Sequence, residues 1–302
     1  MARDNVFLFG MRALVFISTL AMNLCLAFPA RSQPSRPSLA IIGSGVQAEE
    51  DAPFVSPDYR FLPGDYVYFT FEITGFAVAE KEDEYADDVR SISLSYQVTP
   101  EDAAGTPLVP GVTGKIATAL HPQDKTWTPK RRASFLLPSF LAAGAYRIHV
   151  SVRDALGKTE TTRDFPFEIG GTQIKPLPAI AVENFRFLRS GNDTKPLEIP
   201  AYSPGDHIFA RFEIAGYKLG PKNTYRVTYG ITVFGPNGKP FIQQPNAAEL
   251  ESSSFYPAQF VPALLNLTTS RTSARGAYIL VLRARDLVSG QSCEEKEAFS
   301  LE

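Results

Sequence analysis

Apolar and polar residues alternate with a period of two in block after block of this chain. Val67, Phe69, Phe71 and Ile73 fall on one side of a strand whose other side carries Tyr68, Thr70, Glu72 and Thr74. Ile92, Leu94, Tyr96 and Val98 alternate with Ser91, Ser93, Ser95 and Gln97, and Tyr146, Ile148, Val150 and Val152 alternate with Arg147, His149, Ser151 and Arg153. Successive side chains of a strand point to opposite faces. Each block therefore predicts a strand with one apolar and one wet face, the pattern of an antiparallel sheet buried on a single side. Beyond the N-terminal leader no segment keeps a helical period of 3.6.

The blocks occur twice and in the same order. "PGDYVYFTFEITGF" from Pro63 returns as "PGDHIFARFEIAGY" from Pro204, and "SLSYQVTPEDAAGTPL" from Ser93 returns as "RVTYGITVFGPNGKPF" from Arg226. "GAYRIHVSVRDALG" from Gly144 returns as "GAYILVLRARDLVSG" from Gly276, and "FPFEI" ending at Ile169 as "AFSLE" ending at Glu302. This is a tandem duplication of a unit of about 130 residues, too long for a solenoid repeat and large enough for a domain. Turn chemistry separates the blocks: "PGD" precedes the first, while "EDAAGTP", "GPNGKP", "DALGK" and "DLVSG" stand where hairpins must close. Short strands with half-apolar faces must pair as two sheets face to face. Each unit is therefore expected to be a β-sandwich, with the "PGD" phrase forming its second strand and entry turn. The expected boundaries are residues 38–170 and 179–302, joined by a linker at 171–178. Gly170 and Gly171 loosen the exit from the first unit, and Pro176 and Pro178 stiffen the entry to the second, so limited hinge freedom is expected.

At this point the residues resemble a known pattern. "GAYRIHVSVRDALGKTETTRDFPFEI" and "GAYILVLRARDLVSGQSCEEKEAFSLE" are similar to the final hairpin of bacterial exported immunoglobulin-like or fibronectin type III-like domains. In those domains a G-x-Y opening, an alternating strand, an Asp turn and an F-x-[VIL] ending recur. The resemblance implies an all-β fold of two tandem immunoglobulin-like antiparallel β-sandwiches, and adhesion, spacing or binding rather than catalysis. The Cys…Trp…Cys core of antibody domains is missing. Tyr146 and Tyr278 are placed to act as tyrosine corners, each hydroxyl bonding back to the preceding loop.

The N-terminus changes the picture of where the protein works. Arg12 precedes an apolar run over residues 13–26, followed by small residues at Ala27 and Ala30. That is a secretory signal peptide, residues 1–27, with cleavage expected after Ala27 or Ala30 and Met11 as an alternative start. An uncleaved anchor has the same outline, though Asn23 and the short run weigh against it. Lipidation at Cys25 is a third reading, opposed by Leu24 and Asn23 where small residues are required. Residues 28–37 form a polar, Pro-rich leader expected to be disordered. The protein is accordingly expected to be secreted or periplasmic, touching a membrane only if the signal stays on or Cys25 is lipidated. A net charge of −2 offers no field for nucleic acid. Once the signal is removed Cys293 is the last cysteine, so no internal disulfide is available and packed cores must supply stability. Cys293 follows a turn and reads as a half-buried strand residue or, alternatively, a reactive thiol or intermolecular bridge.

Candidate chemistry is sparse. His121, His149 and His207 show no metal-ligand spacing, and no nucleophile elbow or phosphate loop is present. No catalytic residue and no cofactor are expected. Glu72 and Glu213 repeat in both copies and read as wet-face charges paired across strands, or as a catalytic acid lacking a partner. Between the second and third strands of the first unit, Glu80, Glu82, Asp83, Glu84, Asp87 and Asp88 crowd one loop, where the second unit has "KLGPKN". This is a solvated loop, a site for a basic partner, or a calcium site without the usual ligand order. The single tryptophan, Trp127, sits in "HPQDKTWTPKRR" beside Lys130, Arg131 and Arg132, which reads as a loop. It either covers one end of the sandwich or grips a protein or polysaccharide partner. Phe255 and Tyr256 are its possible equivalents in the second unit. Sequons at Asn192 and Asn266 matter only where the export route glycosylates.

Overall fold

The computed structural model describes residues 38–83, 86–120, 124, 126–175 and 177–302, so the predicted signal peptide, leader, Cys25 and His121 lie outside the described residues. The first half contains β1 (Ala40–Gln47), β2 (Arg60–Phe61), β3 (Tyr66–Thr74), β4 (Ala79–Asp83), β5 (Ala86–Asp102), β6 (Val112–Leu120), β7 (Lys130–Leu136), β8 (Gly144–Asp154) and β9 (Thr159–Ile169). The second contains β10 (Ala181–Leu188), β11 (Ala201–Tyr202), β12 (His207–Ala215), β13 (Tyr225–Phe234), β14 (Pro240–Ser252), β15 (Phe260–Thr268), β16 (Gly276–Asp286) and β17 (Ser292–Leu301). The all-β expectation is met. A 3₁₀ turn at Pro221–Asn223 is the sole helical element among the described residues.

Each half builds two sheets. In the first, β1-β3-β7 faces β2-β9-β8-β5-β4, with β6 also paired to β5. In the second, β10-β12-β15 faces β11-β17-β16-β13-β14. The sheet orders are the same once β4 is set aside, so the duplication read in the sequence is a duplication of topology. Pairing is antiparallel except for β2 with β9 and β11 with β17, where a two-residue strand runs parallel to the end of a long one. These short strands make the "PGD" strand third in its unit rather than second. Two residues are too few to leave a periodic signature, which is why they escape sequence reading.

The predicted inner faces are the buried ones. Val67, Phe69, Phe71 and Ile73 of β3 pack with Ile148, Val150 and Val152 of β8 in one core, and Ile208, Phe212 and Ile214 of β12 pack with Leu280 and Leu282 of β16 in the other. Aromatic rings bridge the sheets: Phe69 meets Phe165 at 4.8 Å, Phe71 meets Tyr96 at 5.5 Å, and Phe212 meets Tyr229 at 5.2 Å between centroids. Burial of each such side chain contributes about 2–3 kcal/mol, so the cores can hold the fold without disulfides.

The turns repeat atom for atom. In the first "PGD" turn the Asp65 carboxylate accepts the Leu62 N–H at 2.8 Å, while the Asp65 N–H returns to the Leu62 carbonyl at 3.0 Å. In the second, Asp206 and Ser203 make the same two bonds at 2.8 and 3.0 Å. Gly75 and Gly216 close the following strands at φ of 72° and 71°, and a Cβ on either would stand 2.1 Å from a carbonyl oxygen, that of Ser38 or Ala179. Only glycine fits there. Both tyrosine corners form: Tyr146 donates to the Ala142 carbonyl at 2.8 Å and Tyr278 to the Ala274 carbonyl at 2.6 Å.

Candidate contact surface

The connection between β6 and β7 brings Trp127 to the surface. Its backbone N–H bonds to the Asp124 carbonyl at 3.3 Å in a turn, and the side chain is 39% exposed. The stretch after it is fastened to the sheet, because Thr128 donates to Glu72 at 3.0 Å and the Pro129 carbonyl accepts the Ile73 N–H at 3.1 Å. Trp127 therefore projects from a fixed base.

Lys130, Arg131 and Arg132 do not belong to that loop, as the sequence reading had them. They open β7, opposite Glu72, Phe71 and Thr70. Register with β3 overrides their charge, since the wet edge of a sheet accepts long basic side chains. Arg132 is already engaged with Asp51 and lies 3.8 Å from Glu50. It rims a small cavity of about 130 Å³ lined by Gln47, Tyr68, Thr70 and Ser134. Inside it, Thr70 donates to the Gln47 amide oxygen at 2.7 Å and Gln47 bonds the Ala52 carbonyl, so the polar lining satisfies itself. Among the described residues no ion pair engages Lys130 or Arg131, and Lys130 is exposed.

The acidic segment is likewise not a loop. Its backbone forms a hairpin in which Glu80 stands opposite Arg90 and Asp83 opposite Ala86. The strand β5 extends well past its counterpart β13, and β4 has no counterpart. "EKEDEYADDVR" shows no apolar alternation, because Tyr85, Ala86 and Val89 are its only non-charged residues and do not fall on one face. Glu84 lies outside the described residues, as do the side chains of Glu82, Asp83, Asp87 and Asp88.

The repeated glutamates part company. Glu72 is half-buried and held by Thr128. Glu213, expected on a wet face, is 3% exposed and lies 3.3 Å from the Arg186 guanidinium. A bulge between Glu183 and Arg186 swings Arg186 over it, which is a packing arrangement and not a proton-transfer one. Of the histidines, His149 lies on the predicted wet face with its Nδ1 2.6 Å from Asp164, and His207 is exposed with Nδ1 3.1 Å from the Thr268 hydroxyl. No group of three or more His, Cys, Asp or Glu able to hold a metal ion occurs among the described residues. Cys293 is half-buried in β17, and burial pushes its thiol pKa up, away from the reactive thiolate.

Two features were missed in the sequence. Asp154 and Asp286, read as turn residues, are 1% and 0% exposed. Asp154 accepts the Ala77 N–H at 2.6 Å and the Leu156 N–H at 3.0 Å. Asp286 accepts the Lys218 N–H at 2.9 Å, the Val288 N–H at 2.8 Å and the Ser289 hydroxyl. Each thus pins the loop after the "PGD" strand to the last hairpin of its half. Their identical place in "VRD" and "ARD" was the available signal. The second feature is the division between Phe255 and Tyr256, the possible equivalents of Trp127: Phe255 faces solvent, whereas Tyr256 is 2% exposed.

No family model matches the chain, and no curated protein matches it. Among solved structures, the C-terminal domain of the Streptococcus agalactiae AgI/II polypeptide BspA is 12% identical, with a TM-score of 0.25 over 85% of this chain and 99% of that one. The C-terminal domain of the Streptococcus pyogenes antigen I/II-family protein AspA is 9% identical, with a TM-score of 0.27 over 85% and 98%. Escherichia coli alpha-2-macroglobulin activated by porcine elastase is 9% identical, with a TM-score of 0.26 over 90% of this chain and 22% of that one. Likenesses this remote carry no functional assignment. No helix among the described residues is long and apolar enough to cross a membrane.

Proposed function

We propose that the protein is an exported, non-enzymatic binding or adhesion protein, or a spacer, built of two immunoglobulin-like sandwiches over residues 38–170 and 179–302. Its connecting segments make the contacts. The observation that carries this reading is the division of labour among side chains: the inner sheet faces are consumed by two aromatic cores, while Trp127 stands exposed on a fastened connection near exposed Lys130. The signal-like N-terminus supports export to the periplasm or beyond the cell. The partner is a protein or a polysaccharide. The test is biosensor binding of the chain from residue 28 to panels of cell-surface proteins and soluble glycans, repeated with Trp127→Ala/Lys130→Ala. Binding that falls at least about tenfold in the variant supports the reading. Binding untouched by the pair, or substrate turnover by the purified chain alone, refutes it.

A second reading, carbohydrate recognition through the Trp127 ring, is favoured by its partial exposure on a fixed base. Quenching or a blue shift of its fluorescence by a glycan, with no protein bound, selects this reading. A third reading, an accessory subunit of an exported enzyme, predicts co-purification of that enzyme.

A further inference from the structure

The two halves are joined by more than their linker. The connection between β14 and β15 is held to its own half by its backbone carbonyls. Asn223 donates to those of Ser254 and Phe255 at 3.3 and 2.8 Å and Tyr217 to that of Ala258 at 2.7 Å, while Ser254 donates to the Tyr256 carbonyl within the connection at 2.6 Å. From this braced arm the Tyr256 ring enters the core of the first half, where it is the one buried residue of the second half among the described residues. Its hydroxyl donates to Asp102 at 3.1 Å and accepts from Gln259 at 2.9 Å. The other oxygen of Asp102 accepts the Ala104 and Thr106 N–H groups at 2.9 and 2.8 Å, so the phenol joins the turn that closes β5 onto β6. Beside it, Ala142 of the first tyrosine corner packs against Ala215 and Phe260 of the second half, with Ile174 and Leu177 of the linker alongside.

We propose that residues 254–259 are a latch that locks the tandem into one body, overriding the hinge expected of a glycine- and proline-bearing linker. An aromatic ring seated in the other half's core, with its hydroxyl doubly bonded, cannot leave without exposing the ring and giving up its bond to the half-buried Asp102 carboxylate. The corresponding connection of the first half presents exposed Trp127 instead. Duplication has thus yielded one connection turned inward as a latch and one left outward. The latch does not depend on the partner or on the binding reading.

The test places the perturbation in one half and the readout in the other. Native-state hydrogen exchange is followed at Ala104, Thr106 and Ala143 of the first half in the wild-type chain, in Tyr256→Ser and in Tyr256→Phe. The latch predicts that Tyr256→Ser speeds exchange at these amides at least about tenfold, and that Tyr256→Phe, which keeps the ring, changes it less than Tyr256→Ser does. First-half rates unchanged in Tyr256→Ser overturn it. Small-angle scattering from the unmodified chain provides a readout that no folding failure can spoil. A profile fitted by one arrangement of the halves is expected, and a profile requiring a spread of arrangements overturns the latch.

Discussion

Replacing Asp286 by alanine removes the buried acceptor that three donors share at the turn after β16: the Lys218 N–H, the Val288 N–H and the Ser289 hydroxyl. Bonds to a charged acceptor contribute about 1.5–3 kcal/mol each, and donors left buried without a partner cost about 1–3 kcal/mol each. Ser289 can turn to water and the surrounding loop can relax, so the loss for Asp286→Ala is expected at about 3–5 kcal/mol, near the upper end for a single substitution. Asp286→Asn keeps one oxygen but turns a donor toward a donor, and should cost about 2–3 kcal/mol. The sign of the pH dependence follows from the same contacts. Burial pushes the Asp286 carboxyl up, but the Ser289 hydroxyl and the Lys218, Val288 and Ser289 amides outweigh it and hold its pKa below the ordinary 3.8. A carboxyl depressed in the folded state stabilises above its unfolded pKa, and that stability disappears as pH falls through the folded value. The assay is urea unfolding followed by far-UV circular dichroism at several pH values, comparing midpoints at constant slope. The gap between wild type and Asp286→Ala should be full at neutral pH and narrow as pH falls below 3.8. A loss under about 1 kcal/mol at neutral pH, or a gap that widens on acidification, refutes the reasoning.

Other consequences are measured the same way. Asp154→Ala, with two amides stranded, should cost about 2–4 kcal/mol, less than its counterpart. Tyr146→Phe removes the corner bond to Ala142 and should cost about 1–2 kcal/mol. Burial, helped by the charge of Asp102, pushes the Tyr146 phenol up to about 12. Its stabilisation is therefore complete below the ordinary tyrosine value of 10.0 and is lost as pH rises through 12, which ultraviolet titration against Tyr146→Phe will register. Arg186→Ala leaves Glu213 buried and unpaired and should cost about 3–5 kcal/mol, whereas the joint change Arg186→Met/Glu213→Leu should cost much less. Gly216→Ala forces a Cβ against the Ala179 carbonyl at positive φ and should lower stability by about 2 kcal/mol or more.

Where one face of a strand had to be greasy, the alternation declared it. The inner residues of β3, β5 and β8 were legible for that reason, and the same phrases read twice disclosed the duplicated topology. The tyrosine corners were legible because G-x-Y fixes both the tyrosine and the distance back to its acceptor. Legibility failed where a strand lacks an apolar face. The tip of the β4–β5 hairpin is mostly charged, and the start of β7 is basic because it lies on a wet edge, so both looked like loops. It failed again where charge goes inward: Asp154, Asp286 and Glu213 are buried because backbone amides or Arg186 receive them, and a sequence does not display its hydrogen-bond donors. The inward turn of Tyr256 was illegible for a third reason, since its partner Asp102 lies in the other copy, 154 positions away.

Hydrogen exchange mapped across residues 38–302 bears most directly on the claim that both halves spend their sheets on packing and leave connections free for contact. The slowest amides are expected in β3 and β8 and, at matching positions, in β12 and β16, with the Trp127 amide, held only by its 3.3 Å turn bond to Asp124, exchanging far faster than these. A connection around Trp127 as protected as the cores, or one half lacking slow amides altogether, would contradict it.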